Sequence, residues 1–132
     1  MKIEIMQKFK IPSSTPQQRK LGGKATYPTQ GLRLARASWQ ALLETKKPDR
    51  PMDRPIRLHV SLCYHSAKGK LRPKTTRPDG DNLLKIIKDA ATKAGWWLDD
   101  NLVFDERICR YYVNTEDRVI IIAAEEDEPW TI

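Results

Sequence analysis

Apolar and polar residues alternate at the start of the chain, where Ile3, Ile5, Phe9 and Ile11 are set among Lys2, Glu4, Lys8 and Lys10. A period of two predicts a strand with one buried face, ended here by Pro12 and two serines. Helical spacing takes over at Leu32, Ala35, Trp39, Leu42 and Leu43 and runs to about Thr45, after which Pro48, Pro51 and Pro55 impose an extended link. The cleanest alternation comes next: Ile56, Leu58, Val60, Leu62 and Tyr64 against Arg57, His59, Ser61, Cys63 and His65. This strand is expected well inside the sheet. Leu83, Ile86, Ile87, Ala90, Ala91 and Ala94 form a second helical stripe, opened by an Asp cap and stopped by Gly95. Val103 to Val113 and Arg118 to Ala124 read as two more strands, joined as a hairpin through Asn114-Thr115-Glu116-Asp117.

Three segments lack periodicity. Residues 12–30, with Pro12, Pro16, Gly22, Gly23 and Pro28, read as a long basic loop, and residues 66–78 as a second one. The last segment, 125–132, begins with four acids and reads as a solvated tail. The order strand, helix, strand, helix, strand, strand (β-α-β-α-β-β) predicts an α+β fold in which a mixed sheet packs against two helices. With 132 residues, 39% hydrophobic and 31% charged, the chain is sized for a single domain spanning 1–132. No apolar run approaches the roughly 18 to 20 residues of a membrane helix, and the alternating N-terminus is not the pattern of a signal peptide. A cytoplasmic protein without a membrane partner is therefore expected, with Cys63 and Cys109 as thiols.

Charge turns this outline toward function. Residues 1–78 hold 18 basic and 4 acidic groups, whereas residues 79–132 hold 6 basic and 13 acidic ones. A basic half attracts polyanions, of which nucleic acid is the most abundant in a cytoplasm. Lys68, Lys70, Arg72, Lys74 and Arg77 crowd into 66–78 with no acid among them. The acids then gather as Asp79-Gly80-Asp81-Asn82 at a helix start and Asp99-Asp100-Asn101 after it. A helix of roughly 20 Å, at about 1.5 Å per residue, followed by an extended return of similar length, would bring Asp99 or Asp100 back beside Asp79 and Asp81. Adjacent residues of an extended segment point to opposite sides, so one of the late pair faces the site. Clustered carboxylates repel unless a hard divalent cation such as Mg²⁺ sits among them, with Mn²⁺ as a substitute. Such an ion beside a phosphate is suited to hydrolysing a nucleic-acid strand. Lys85, at i+4 from Asp81, can neutralise the acids or touch the scissile phosphate; alternatively it only pairs with Asp81 or Asp89, and Asp81 only caps the helix. His59 and His65 are too far apart along one strand to share a metal, and His65 is at most a strand-end DNA contact.

The run Arg77-Pro78-Asp79-Gly80-Asp81-Asn82-Leu83-Leu84-Lys85, then Lys88-Asp89-Ala90, then Gly95-Trp96-Trp97-Leu98-Asp99-Asp100 resembles the RusA family of Holliday junction resolvases. Lys47-Pro48 and Arg110-Tyr111 extend the likeness, Arg110 standing where the family commonly has a lysine. The resemblance implies a Mg²⁺-dependent endodeoxyribonuclease that works as a homodimer and resolves four-way or other branched DNA by paired nicks. It implies Asp79, Asp81 and Asp100 as metal ligands and catalytic residues, Lys85 as the catalytic lysine, and Arg110 beside the basic loop in DNA binding. Thr76, Arg77 and Pro78 precede Asp79 without an aromatic side chain to wedge between base pairs. The rival readings are a non-enzymatic phage-derived DNA-binding module, in which the acids serve folding, and a metal-dependent nuclease acting on other DNA or RNA structures.

Overall fold

A computed structural model describes residues 1–15, 19–22 and 25–126. Strand β1 (Lys2–Lys8) is followed by β2 (Arg19–Gly22) and β3 (Ala25–Pro28), then helix α1 (Gln30–Glu44), β4 (Ile56–His65), β5 (Arg72–Pro73), helix α2 (Gly80–Lys93), a 3-10 turn (Asp100–Leu102), β6 (Val103–Val113) and β7 (Arg118–Glu125). The five-stranded sheet has the order β1-β7-β4-β6-β5, with β4 and β6 parallel and the other pairs antiparallel. The fold is α+β, a mixed sheet with two helices, and β4 lies at its centre.

Burial follows the alternation. Ile56, Leu58, Val60 and Leu62 turn inward with Ile3, Ile5, Val119, Ile121 and Ala123, and α1 and α2 pack on each other over this face. The opposite face stays uncovered among the described residues, with Glu4, Met6, His59 and Arg107 exposed on it. Thr29 caps α1 by accepting from the Leu32 N–H at 3.1 Å. Helix α2 stops at Gly95, whose φ of 80° is the left-handed conformation that glycine adopts without a Cβ clash. There the Gly95 N–H donates to the Thr92 carbonyl and the Trp96 N–H to that of Ala91, closing the helix end.

Four expectations are corrected. The segment 12–30 is not loop throughout, since β2 and β3 pair within it; strands of four residues are too short for periodicity to reveal. The segment 66–78 contains β5, whose two residues pair with Tyr111 and Tyr112 of β6. The strands β6 and β7 form no hairpin: β4 lies between them, and residues 114–117 cross over its end. Asp117 makes this crossing stable, its carboxylate accepting from the Ile11 N–H at 3.1 Å and the His65 N–H at 2.8 Å. The expected tail 125–132 starts later, because Glu125 ends β7 and accepts from the Asp53 and Arg54 N–H groups, and Glu126 pairs with Arg57; residues 127–132 lie outside the described ones.

The proline link anchors the chain as it leaves α2. The Met52 N–H donates to the Trp96 carbonyl at 2.8 Å and the Leu98 N–H to that of Met52 at 3.1 Å, while Trp96 and Trp97 are buried edge to face. The Trp96 indole donates to the Leu43 carbonyl of α1 at 2.8 Å. Replacing Trp96 by Phe removes that bond and leaves the Leu43 carbonyl only its helix-end donor, the Lys46 N–H at 3.2 Å, so the expected loss is about 0.5–1.5 kcal/mol in urea unfolding, and unchanged stability contradicts the assignment.

Candidate functional site

The loop into α2 is held from beneath by two cations. Arg110 of β6 donates from Nη1 to the carbonyls of Thr76 at 2.9 Å and Pro78 at 2.7 Å. Lys74, only 8% exposed, donates from Nζ to the Thr76 hydroxyl at 2.6 Å and the Arg77 carbonyl at 2.9 Å. Its ammonium also lies over the rings of Tyr64 and Tyr112, at 5.0 and 5.4 Å from their centroids. Three consecutive carbonyls, those of residues 76, 77 and 78, are thus gathered by charged donors, the stronger kind of hydrogen bond. Gly80, the first residue of α2, is pressed so closely onto β6 that a Cβ there would meet Ile108 at 3.2 Å.

These contacts revise two of the expected DNA cations: Lys74 and Arg110 turn inward, onto the loop. Sequence could not separate them from their neighbours, since a Lys or Arg in a polar loop looks alike whether it faces water or carbonyls. Arg72 stacks on Tyr112 at 4.4 Å and donates to the Ser66 hydroxyl at 3.2 Å. Lys68, Lys70 and Arg77 are exposed.

Asp79 occupies the N-cap of α2 with extended backbone angles, yet its side chain makes no capping hydrogen bond. A carboxylate at that position ordinarily accepts from the first turn. Past it, a groove of about 360 Å³ runs between α2, the 3-10 turn and β6, lined by Asp81, Lys85, Lys88, Asp89, Asp100 and Glu106 with Leu84. The structure therefore brings Asp81, Lys85 and Asp100 to one groove and leaves Asp79 outside its lining. The return after α2 is not an extended run: the Trp96–Trp97 anchor and the 3-10 turn shape it instead. Asp99 is engaged as the cap of that turn, accepting from the Asn101 N–H at 2.8 Å, and lines a neighbouring recess with Arg36 and Lys93.

Asp89, Lys88 and Glu106 were missed as groove residues. Spacing offered the signal for the first two, because Asp81, Lys85, Lys88 and Asp89 stand at i, i+4, i+7 and i+8 on one helix face. Lys88 pairs with Glu106 across the groove at 2.9 Å. Lys85 makes no ion pair among the described residues, so its expected pairing with Asp81 or Asp89 is not formed. Among the described residues no three His, Cys, Asp or Glu side chains are placed to hold one metal ion. His65 contacts the Thr115 carbonyl through Nδ1 at 2.9 Å.

An α+β domain with an acid-lined groove between a helix and a sheet, entered by a clamped basic loop, is the class that these features define. A family model described as Endodeoxyribonuclease RusA matches residues 9–123, and the chain belongs to that family. Crossover junction endodeoxyribonuclease RusA of Escherichia coli O139:H28 (strain E24377A / ETEC) is 55% identical over 38 residues, 29% of this chain and 32% of that protein. The proteins of that name from Escherichia coli (strain K12) and Enterobacteria phage 82 are each 43% identical over 53 residues, 40% of this chain and 44% of theirs. The matched stretches span from 32% to 44% of the length of these curated relatives.

The clamp has an optical signature. Burial pushes the Tyr64 hydroxyl, which lacks a hydrogen-bond partner among the described residues, up to about 12, whereas the Thr76 hydrogen bond, aided by the Lys74 and Arg72 charges, holds Tyr112 below the ordinary tyrosine range. Since folding favours neutral Tyr64, its contribution to stability is whole below about pH 10 and is lost as pH rises through about 12. Alkaline absorbance titration of the four tyrosines should resolve an early and a late ionisation, and Lys74→Met should move the early one upward. Four ionisations together near the ordinary value contradict this placement.

Proposed function

We propose that this chain is a divalent-metal-dependent endodeoxyribonuclease that cuts branched DNA, four-way junctions among it, and acts as a homodimer. The observation that carries the reading is the meeting of Asp81, Lys85 and Asp100 in one groove at the end of a clamped basic loop. Membership in the RusA family and relatives named crossover junction endodeoxyribonucleases support the substrate class.

The groove's donors fit Mg²⁺ in kind: all are carboxylate oxygens, and Mg²⁺ is ordinarily held by one or two carboxylates, with water and substrate phosphate completing its shell. Asp81 and Asp100 are the ligands in this reading, and Asp79, whose carboxylate makes no cap, is the third acid available at the helix start. An ion bound there would supply charge to polarise a phosphoryl oxygen and an activated water. Lys85, without an ion pair among the described residues, steadies charge developing on the scissile phosphate. Lys68, Lys70 and Arg77 hold flanking phosphates without reading bases. A dimer places two such grooves against the opposed strands of a junction.

Among the described residues no three acids converge, which favours a second reading, a DNA-binding module without catalysis. Cleavage of a synthetic four-way junction with and without Mg²⁺ separates the two. Asp81→Asn and Asp100→Asn should abolish cleavage while junction binding persists, and full activity in either removes that residue from the site. Lys85→Ala should lower the single-turnover rate at saturating protein about 100-fold, the scale of losing one donor to a transition-state oxyanion. A wild-type rate there leaves Lys85 no catalytic role.

A further inference from the structure

A recess of about 860 Å³ opens where β1, β4 and β7 meet residues 114–117, with Lys8, Phe9, Lys10, His65, Asn114 and Arg118 in its lining. Its cations are arranged at a cost. Lys8 and Arg118 are direct partners in the antiparallel β1–β7 register, and the alternation turns both to the uncovered face of the sheet. Directly opposed side chains have Cβ atoms about 4.5–5.5 Å apart, and like charges there destabilise the pair. The acids of the recess do little to relieve this. Asp117 is engaged by the Ile11 and His65 N–H groups, and Glu116 reaches only Lys8, at 3.4 Å in an exposed pair. Half-buried Arg118 and exposed Lys10 make no hydrogen bond or ion pair through their side chains among the described residues. A guanidinium with its donors unspent beside a facing ammonium is a site prepared for an anion.

We propose that this recess holds the phosphodiester backbone of a nucleic-acid strand, a second contact on the sheet face turned away from α2. The proposal rests on the nuclease reading above and adds to it. A strand suits the site better than a free phosphate because the cations extend beyond one phosphate's reach. Lys10, also in the lining, lies past the end of β1 and so beyond the facing Lys8 and Arg118. Contacts on two faces of one sheet fit arms that diverge, as those of a branched substrate do.

The test uses the whole chain, a fluorescent four-way junction and a salt series, with urea unfolding alongside. Arg118→Gln should weaken binding and make the slope of log affinity against log salt shallower by about 1, the value for one lost phosphate contact. Its stability should equal or exceed that of the wild type, because the opposed charge is gone. Lys10→Gln, on an exposed position, should show the same slope change and folds regardless of Arg118. Unchanged slopes in both variants overturn the proposal, and so does lowered stability of Arg118→Gln with an unchanged slope, which makes it a packing residue. Inorganic phosphate that protects the wild type from urea as well as an oligonucleotide at equal phosphate concentration also overturns it, in favour of a free-anion site. If the wild type binds no DNA at all, the nuclease reading falls with it, whereas a wild type that cuts junctions beside variants with unchanged slopes removes this contact alone.

Discussion

One guanidinium nitrogen sets the geometry of the acidic groove. Arg110 joins the carbonyls of Thr76 and Pro78 to the middle of β6, and Lys74 adds that of Arg77 from below. Hydrogen bonds to charged groups contribute roughly 1.5–3 kcal/mol, and here they act on a segment with no regular structure of its own between β5 and α2. With the loop fixed, Asp79 falls at the N-cap and Gly80 against Ile108, and the face of α2 bearing Asp81 and Lys85 is turned toward β6 and the 3-10 turn.

The other wall of the groove depends on the core. Trp96 and Trp97, tied to Met52 and Leu43, fix the chain as it leaves α2, so that Asp99 caps the next turn and Asp100 lines the groove. Beneath both walls lies the parallel pair β4 and β6, which α2 connects, with β7 on the other side of β4. The site therefore sits where a crossover helix returns to the sheet. Its residues come from three successive elements and not from one motif.

Much of this is legible in the residues. The inward rows of β4 and of both helices follow from periods of 2 and 3.6, and the acids flanking α2 stand out because carboxylates at such spacing repel. Strand neighbours are less legible: Asn114 to Asp117 carries turn chemistry, but that chemistry is the same whether the flanking strands pair with each other or straddle a third. Nor does sequence reveal the direction of a charged side chain. Lys70 and Lys74 are alike on paper, yet one ends in water and the other beneath carbonyls and two tyrosine rings. The same limit hid Glu106, whose place in the groove shows only when α2 and β6 are laid side by side.

Inward cations, by holding the loop, place the carboxylates of the groove. Arg110→Gln tests this through the single-turnover cleavage rate of a four-way junction at saturating protein together with the salt dependence of junction binding. A lower rate with an unchanged salt slope is expected, because Arg110 spends its Nη1 on the Thr76 and Pro78 carbonyls. A slope shallower by about 1 with the full rate kept would contradict it and make Arg110 a phosphate contact.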